Sequence, residues 1–317
     1  MDCPVRVALG QLRLGCLLLV ALTSAAIAQD YGDTPYVQTP QNVVDTMLKL
    51  ARVRADDYVI DLGSGDGRMV ITAATQYGAR GFGVDLDRRL VELSNANAAK
   101  AGVADRAVFY VRDLHETDFS RATVVTIYLL PEVNLMIRPR LLSTLNPGTR
   151  IVSHDYDMGR WTPDYQTEIA APGKTVGAVK TSKMFYWMVP ANAAGRWRWT
   201  MEDHGKVHEF ELSLDQTFQK LSGKLTIDGR PVQLVRATLE GARIDIAAVD
   251  GEGANRTRYE GSGRIINHAI EGHLRMDRGG KGRELGWAAA RIESWDPRHY
   301  ALRDMPPCKE MGIPCAR

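Results

Sequence analysis

The fold is decided by one stretch of sequence, Tyr58-Val59-Ile60-Asp61-Leu62-Gly63-Ser64-Gly65-Asp66-Gly67-Arg68. Its apolar residues predict a buried strand, and the glycines that follow predict a turn that opens a helix. Glycine lets the backbone adopt left-handed angles and lets a ligand lie directly against the chain, because no Cβ stands in the way. The stretch therefore predicts a loop that binds a nucleotide-like cofactor, with the carboxylate of Asp61 directed into the same space.

The spacing of the glycines distinguishes between cofactors. The dinucleotide fingerprint requires a third glycine three residues after the second, and this chain has Arg68 at that position. Here the third glycine is Gly67. The pattern therefore argues against a dinucleotide-binding loop.

Strands and helices alternate on both sides of the loop. A second strand ends at Asp85, about the spacing at which βαβ units place a carboxylate on ribose hydroxyls. The predicted strands lie near 58–62, 81–85, 107–111, 123–128 and 149–154, and the predicted helices at 42–50, 69–77, 88–101 and 133–145. This order predicts an α/β fold with a Rossmann-like sheet.

The pattern acidic-x-Gly-x-Gly-x-Gly at 61–67 resembles motif I of the class I S-adenosylmethionine (SAM) methyltransferases. Further stretches narrow the resemblance: Thr34-Pro35-Tyr36-Val37-Gln38-Thr39-Pro40, Leu129-Leu130-Pro131-Glu132, Pro147-Gly148-Thr149-Arg150-Ile151-Val152-Ser153-His154-Asp155 and Trp161-Thr162-Pro163-Asp164. Together they are similar to the small family that includes the lysine methyltransferase of the ATP synthase c-subunit and its bacterial relatives. The resemblance covers residues 34–190, about half of the chain.

The resemblance implies that SAM is the cofactor, whose ammonium and sulfonium cations suit a carboxylate beside the glycine loop. The residues implied to bind it are Tyr36, Thr39, Asp61, Gly63, Gly65, Gly67, Asp85 and Asp113. Asp85 is expected on the ribose and Asp113 on the adenine amino group, whereas Tyr36 and Thr39 are expected near the methionine end. Simpler alternatives remain open: a helix N-cap at Asp85, a turn cap at Asp113 and a packed aromatic ring at Tyr36.

Candidate catalytic residues follow the fourth and fifth strands, where parallel sheets form their sites: Tyr128, Glu132 and Asp155. A lysine amine must be neutral when it attacks, so it needs a group that orients it and a route for its proton. Tyr128-Leu129-Leu130-Pro131 replaces the Asn-Pro-Pro-Tyr loop of enzymes that methylate glutamine or adenine amino groups, which argues against a nucleic-acid base as acceptor. His154 could be catalytic or a hydrogen-bonded histidine at a strand end, and Trp161 is expected in the core.

The N-terminus predicts export. Arg6 and Arg13 precede an apolar stretch at 14–28 that ends in Ala26-Ile27-Ala28, a small-x-small cleavage pattern. Because this stretch is shorter than the roughly 20 residues that a membrane span needs, a cleaved signal peptide at 1–28 and a periplasmic or secreted protein are expected. The alternative is a membrane anchor formed by an uncleaved leader.

Export conflicts with the cofactor, because SAM is made in the cytoplasm. Two interpretations follow: an enzyme that acquires its cofactor before or during export, or a non-catalytic binding module that retains the methyltransferase fold. The intact glycines and acids of the loop favour a working site.

The last third of the chain changes character. Period-two alternation from Gly195 onward, with recurrent turn signals, predicts an all-β domain at 195–300, a sandwich or open barrel of about eight strands. A linker at 191–195 would join it to the methyltransferase domain at 29–190. The tail at 301–317 contains Cys308 and Cys315, which suit a disulfide in an oxidising compartment, with two free thiols as the alternative.

Composition adds two limits. No CxxC pair or histidine cluster has the spacing of a metal site, so no metal is expected. The formal net charge of +2 argues against a broad nucleic-acid-binding surface. We therefore expect a SAM-dependent methyltransferase that acts on a protein side chain, with lysine as a candidate acceptor, and no nucleic-acid partner.

Overall fold

The computed structural model describes residues 36–253 and 256–294. Its helices are α1 (Gln41–Leu50), α2 (Arg68–Tyr77), α3 (Arg88–Lys100) and α4 (Pro131–Thr144). The first seven strands are β1 (Tyr58–Leu62), β2 (Arg80–Asp85), β3 (Ala107–Val111), β4 (Val124–Ile127), β5 (Arg150–His154), β6 (Tyr165–Ala170) and β7 (Thr181–Met188). The others are β8 (Gly195–Asp203), β9 (Lys206–Thr217), β10 (Lys220–Ile227), β11 (Arg230–Glu240), β12 (Arg243–Asp250), β13 (Thr257–Ile266), β14 (Ala269–Arg278) and β15 (Lys281–Ser294).

The first seven strands form one mixed sheet in the order β3-β2-β1-β4-β5-β7-β6. β1 is parallel to both of its neighbours, and Asp61 pairs with Gly83 on β2 and with Thr126 on β4. β7 returns antiparallel to β5, and β6 is antiparallel to β7. Because the five parallel strands point the same way, the residues that follow β1, β2, β4 and β5 meet at one edge of the sheet.

Helices cover both faces of this sheet. Successive strand residues point to opposite faces. Val59 therefore packs in a cluster with residues of α1 and α2, such as Val43 and Met69, whereas Ile60 packs in a cluster with Ile137 of α4. Burial on both faces accounts for the continuous apolar runs of β1, β4 and β5. The predicted Rossmann-like α/β fold is confirmed.

The last eight strands form a closed barrel in which each strand pairs antiparallel with the next one along the chain. β15 closes the barrel by pairing with β8, and Ser294 lies opposite Gly195. The interior is filled by side chains, and Trp287 packs so closely over Gly261 that an added Cβ there would lie 3.0 Å from the indole ring. The appended all-β domain is confirmed, and it closes completely.

The connection between β7 and β8 is buried. Ala191 and Ala193 are almost fully enclosed, and the backbone N–H of Ala191 donates to the carbonyl of Gly241 at 2.8 Å. Gln216 of β9 accepts from the N–H of Ala193 at 2.7 Å and donates to the carbonyl of Ala191 at 2.9 Å. The segment predicted as a linker is therefore packed against the barrel instead of forming a free tether.

The turn between β9 and β10 joins the barrel to the sheet. Phe218, at the tip of this turn, packs in the same core cluster as α4 and stacks on Trp161, with ring centroids 5.9 Å apart. The side-chain amide of Gln219 accepts from the indole N–H of Trp161 at 3.1 Å and donates to the carbonyl of Thr162 at 2.7 Å. The barrel thus holds the segment that follows β5.

Several predictions from the termini lie outside the described residues. They are the signal peptide at 1–28, the tail at 301–317 and the disulfide between Cys308 and Cys315, and they stay predictions. Within 36–253 and 256–294, no helix is long and apolar enough to cross a membrane.

Candidate active site

The glycine loop between β1 and α2 adopts the conformation that its sequence predicts. Gly63, Gly65 and Gly67 have φ values of +78°, +53° and +82°. The N–H groups of Gly63 and Ser64 both donate to the carbonyl of Val84 at 2.9 Å, which fastens the loop to β2. Left-handed backbone at three alternate positions is accessible at low cost only to glycine.

Close packing excludes side chains at two of these glycines. A Cβ added at Gly67 would lie 2.7 Å from the ring of Phe109 and 2.7 Å from Cβ of Ser94. A Cβ added at Gly63 would lie 2.7 Å from the side chain of Leu129, which follows β4. The loop therefore lies directly against the segment where the candidate catalytic residues begin.

Asp85 is tied to the glycine loop. Its carboxylate accepts from the N–H of Gly65 at 2.9 Å and from the N–H of Asp87 at 3.0 Å. The N-cap of α3 is Asp87, whose side chain accepts from the N–H of Arg89. The alternative of Asp85 as the helix N-cap is therefore not observed, and its role on the ribose stays a prediction.

Asp61 is buried at the carboxyl end of β1. The hydroxyl of Thr126 donates to its carboxylate at 2.7 Å. Burial raises the pKa of Asp61 to about 7; the Thr126 hydrogen bond opposes this shift, while the negative charges of Asp85 and Asp66 add to it. A cation in this space would favour the ionised carboxylate, so the electrostatics suit a positively charged ligand.

Arg68 was treated in the sequence only as the residue that replaces a glycine, but it connects two parts of the site. Its guanidinium forms an ion pair with Asp66 at 2.5 Å and donates to the carbonyl of Thr39 at 2.7 Å. The bond to Thr39 holds the segment before α1 next to the glycine loop. The predicted contact of Thr39 with the cofactor stays a prediction.

Two other predicted cofactor ligands remain untested. Asp113 accepts from the N–H of His115 at 2.8 Å, so it caps the turn that follows β3, as one alternative proposed. Tyr36 is 42% exposed and belongs to a separate unit of the chain, Met1–Tyr36. Their contacts with the cofactor stay predictions.

At the carboxyl ends of β4 and β5, the candidate catalytic residues Tyr128 and Asp155 lie close together. The ring of Tyr128 lies over the ring of His154, with centroids 3.9 Å apart, and its hydroxyl is 3.5 Å from Oδ2 of Asp155. Burial raises the pKa of Tyr128, and the negative charge of Asp155 raises it further. Tyr128 therefore stays protonated and can donate a hydrogen bond, but it is a poor base.

Asp155 is held rigidly in an unusual backbone conformation. Its φ is +61°, a left-handed value that is uncommon outside glycine and found at functional sites. The N–H of Asp155 donates to the carbonyl of Lys183 at 2.8 Å, and Oδ1 accepts from the N–H of Lys183 at 3.0 Å. The other oxygen, Oδ2, lies 2.7 Å from Nζ of Lys174. The sequence carries no signal for these lysines, because they come from β7 and from the loop before it.

His154 is fully enclosed and hydrogen-bonded through both ring nitrogens. Nδ1 lies 3.2 Å from the hydroxyl of Thr39, and Nε2 lies 2.8 Å from the hydroxyl of Ser182. Burial lowers the pKa of His154 to about 4, with Asp155 opposing the shift and Lys174 adding to it. The ring is therefore neutral at pH 7 and links the segment before α1 to the ends of β5 and β7.

Glu132 is not part of this cluster. It is exposed in the first turn of α4, where a negative charge stabilises the positive end of the helix dipole. Across the described part of the chain, no hydrogen bond or ion pair joins it to Tyr128 or Asp155. Its catalytic role stays a prediction without geometric support. The described residues also contain no cluster of three or more side chains that could hold a metal ion.

Part of this chain is similar to known methyltransferases. The family model described as the ANTKMT methyltransferase domain matches residues 61–165. A protein-lysine N-methyltransferase of Saccharolobus islandicus is 45% identical over 130 residues, which cover 41% of this chain and 81% of that protein.

Two further matches cover a similar share of this chain. The ATP synthase c-subunit lysine N-methyltransferase of Mus musculus is 34% identical over 133 residues, or 42% of this chain, and the chain spans about half of its length, 53%. A crystal structure of an RNA methyltransferase from Salinibacter ruber in complex with S-adenosyl-L-homocysteine is 49% identical and covers 48% of this chain and 94% of that one, with a TM-score of 0.44.

Proposed function

Because the chain belongs to the SAM-dependent methyltransferases, in the family that contains the Saccharolobus protein-lysine N-methyltransferase and the ATP synthase c-subunit lysine N-methyltransferases, we propose that it methylates the side-chain amine of a protein lysine. The family membership matches the resemblance read from the sequence. It leaves the alternative of a non-catalytic binding module without support.

The residues around the glycine loop fit SAM, the cofactor of this family. Gly63, Gly65 and Gly67 form a left-handed loop beside Asp61, a buried carboxylate whose pKa is raised by its burial. Asp85 retains lone pairs for a ribose hydroxyl beyond the bonds it accepts from Gly65 and Asp87. SAM supplies a methyl group on a sulfonium that is already activated for displacement.

The observation that carries the choice of lysine is the carboxylate of Asp155. It is only 14% exposed, it is held by two backbone bonds to Lys183, and its other oxygen already binds a lysine ammonium at 2.7 Å. A partly buried carboxylate beside a tyrosine hydroxyl is a site for a cationic amine, because desolvation strengthens the attraction between opposite charges.

The same residues suit the proton transfer that methylation requires. The attacking amine must first lose a proton, and Oδ2 of Asp155 is the oxygen placed to receive it or pass it to water. Tyr128 stays neutral because its pKa is raised, so it can orient the amine through its hydroxyl without competing for the proton. Leu129, packed against Gly63, helps to exclude water between the loop and the acceptor side.

The proposal is tested with the full-length protein, methyl-labelled SAM and a panel of lysine-rich proteins. We expect label in the protein fraction, and none when the lysines of the substrate have been blocked by reductive dimethylation. Asp155→Asn should lower kcat/KM on the order of 100-fold with little change in SAM affinity, because asparagine tolerates the left-handed backbone but cannot take the proton.

Asp85→Asn separates cofactor binding from catalysis. It should weaken SAM binding, measured by titration calorimetry, by roughly 10- to 100-fold, the value of one charge-assisted hydrogen bond. Asp87→Asn is the matched control, since it is the same change two residues away on a side chain that caps α3 and pairs with the exposed Arg89. Label that enters added RNA instead of protein, or equal loss in the Asp85 and Asp87 variants, would contradict the proposal.

A further inference from the structure

The ammonium that occupies the acceptor carboxylate belongs to the protein itself. Lys174 lies in the loop 171–180 between β6 and β7. Its Nζ is 2.7 Å from Oδ2 of Asp155 and donates to the carbonyl of Thr181 at 2.8 Å. Its side chain is only 14% exposed, unlike Lys180 in the same loop, which is solvent-exposed. Lys174 is therefore a lysine directed inward, toward the candidate site.

Two chains of contacts connect this amine to the cofactor loop. On one side Asp155 contacts Tyr128, whose neighbour Leu129 packs against Gly63. On the other side, the Lys174 loop lies against the segment before α1: a Cβ added at Gly173 would be 3.6 Å from Cβ of Pro40. Pro40 follows Thr39, whose carbonyl is held by Arg68 of the glycine loop. Asp155, which binds Nζ of Lys174, and the loop that carries Lys174 are thus each linked to the glycine loop through one bordering segment.

We propose that Lys174 is a methyl acceptor of this enzyme, so that the protein methylates its own side chain within the site it uses for other lysines. This inference rests on the proposed lysine methyltransferase activity. It explains why a lysine ammonium fills the carboxylate that an external lysine needs, since both occupy the same position in turn.

SAM is the only co-substrate that this methyl transfer needs. The ammonium of Lys174 loses one proton through Asp155 to water, and the lone pair of Nζ forms the new bond to the methyl carbon. The bond between that carbon and sulfur breaks, and its electron pair stays on sulfur, which leaves S-adenosylhomocysteine as a neutral thioether. Because the acceptor is part of the same chain, the reaction needs no encounter, and positioning of this kind can replace high substrate concentrations.

The test uses the full-length protein incubated with methyl-labelled SAM and no other substrate. Peptide mass spectrometry should find label on Lys174 and little or none on Lys180. The fraction labelled per unit time should not change when the protein is diluted tenfold, as expected for transfer within one molecule. Absence of label on Lys174 in protein that binds SAM would overturn the proposal, as would equal labelling of Lys180.

Variants separate this inference from the proposed function. Lys174→Gln removes both the amine and the cation that occupies Asp155, so self-labelling should fall to background while labelling of added proteins continues. Lys180→Gln is the matched control and should leave self-labelling unchanged. If Lys174→Gln labels added proteins and the wild-type protein shows no label on Lys174, only this inference fails. If no variant and no wild-type protein transfers label to any lysine, the proposed function fails as well.

Discussion

The sheet and the barrel differ in where their charged side chains lie. The sheet region encloses titratable groups at the carboxyl ends of its strands, with the pKa of Asp61 raised to about 7 and that of His154 lowered to about 4, in both cases chiefly by burial. The barrel carries most of its ion pairs on the outside, as between Arg230 and Asp250 or between Arg196 and Glu293, and fills its interior with apolar and aromatic side chains. Its more enclosed charges are Asp203, which is 11% exposed, and Arg291, whose pKa burial lowers to about 10.

This difference suggests that the sheet region carries the chemistry and that the barrel has a structural role. Enclosing an ionisable group costs free energy unless it is paired, so such groups persist where chemistry requires them. In the barrel, Asp203 pairs with Arg278, and Arg291 donates to the carbonyl oxygens of Ala194 and Asn192. These charges hold the barrel's own strands and entry segment, so its organisation resembles that of a scaffold. Three experiments on stability test this difference.

The largest effect is expected at the junction. Phe218 belongs to the barrel by sequence but to the core of the sheet by packing, where it is 3% exposed against Trp161 and α4. Phe218→Ala should lower the free energy of unfolding by about 3–5 kcal/mol, because it leaves a cavity in that core. Hydrogen exchange should increase in residues 155–164, which Phe218 and Gln219 hold, and remain slow in β12–β14.

Phe210→Ala is the matched control. Phe210 is 2% exposed and stacks on Trp199 inside the barrel, with ring centroids 5.1 Å apart. Its loss should increase exchange in the barrel strands and leave 155–164 protected. The same exchange pattern in both variants would show that the two regions unfold as one unit and that the distinction between them does not extend to stability.

The second effect is a pH dependence confined to the sheet. Unfolded aspartate loses its proton near pH 3.8, whereas burial raises the pKa of Asp61 to about 7, so between these values the folded state binds more protons and stability falls as pH rises. For His154 the pKa is lowered from 6.5 to about 4, so the folded state binds fewer protons in that interval and stability rises with pH. The shifts correspond to about 4 kcal/mol for Asp61 and about 3 kcal/mol for His154.

The two slopes oppose each other between pH 4 and 6.5, so the wild-type protein should change little there. Asp61→Asn should make stability increase with pH, and His154→Gln should make it decrease, as measured by urea unfolding at a series of pH values. An Asp61→Asn protein with a flat profile would contradict the raised pKa of this buried carboxylate.

The smallest effect is expected on the outside of the barrel. Arg230 makes two hydrogen bonds to Asp250, at 3.1 and 3.0 Å, but its side chain is 64% exposed, and exposed ion pairs contribute little. Arg230→Gln should leave the midpoint of thermal unfolding unchanged within error at physiological salt. A clear loss of stability would mean that the barrel depends on its surface charges.

The sequence predicts those parts of the protein that depend on local chemistry. The alternating glycines before α2 indicated a left-handed loop, and the apolar runs of β1 and β4 indicated strands buried on both faces; both are found. The alternation in β8 likewise indicated a sheet with one buried face, which agrees with its burial pattern. In each case the pattern and the structure it causes lie within a few residues.

Features that depend on distant pairing were not predictable. Closure of the barrel requires β15 to meet β8, and no local pattern encodes that partner. Phe218 is an apolar residue at a turn, which alone gives no reason to expect a place in another core. The meeting of Lys174 with Asp155 depends on the antiparallel return of β7, so a site described only from the ends of β4 and β5 lacks it.

The pairing of Ser294 with Gly195 also bears on how such a protein could arise. A domain whose two ends lie close together can be inserted or removed with little disturbance of the rest of the chain. The barrel has that property. Gain or loss of the barrel by recombination would therefore leave the strands and helices of the sheet region as one continuous chain, with a gap in its core at the place that Phe218 fills.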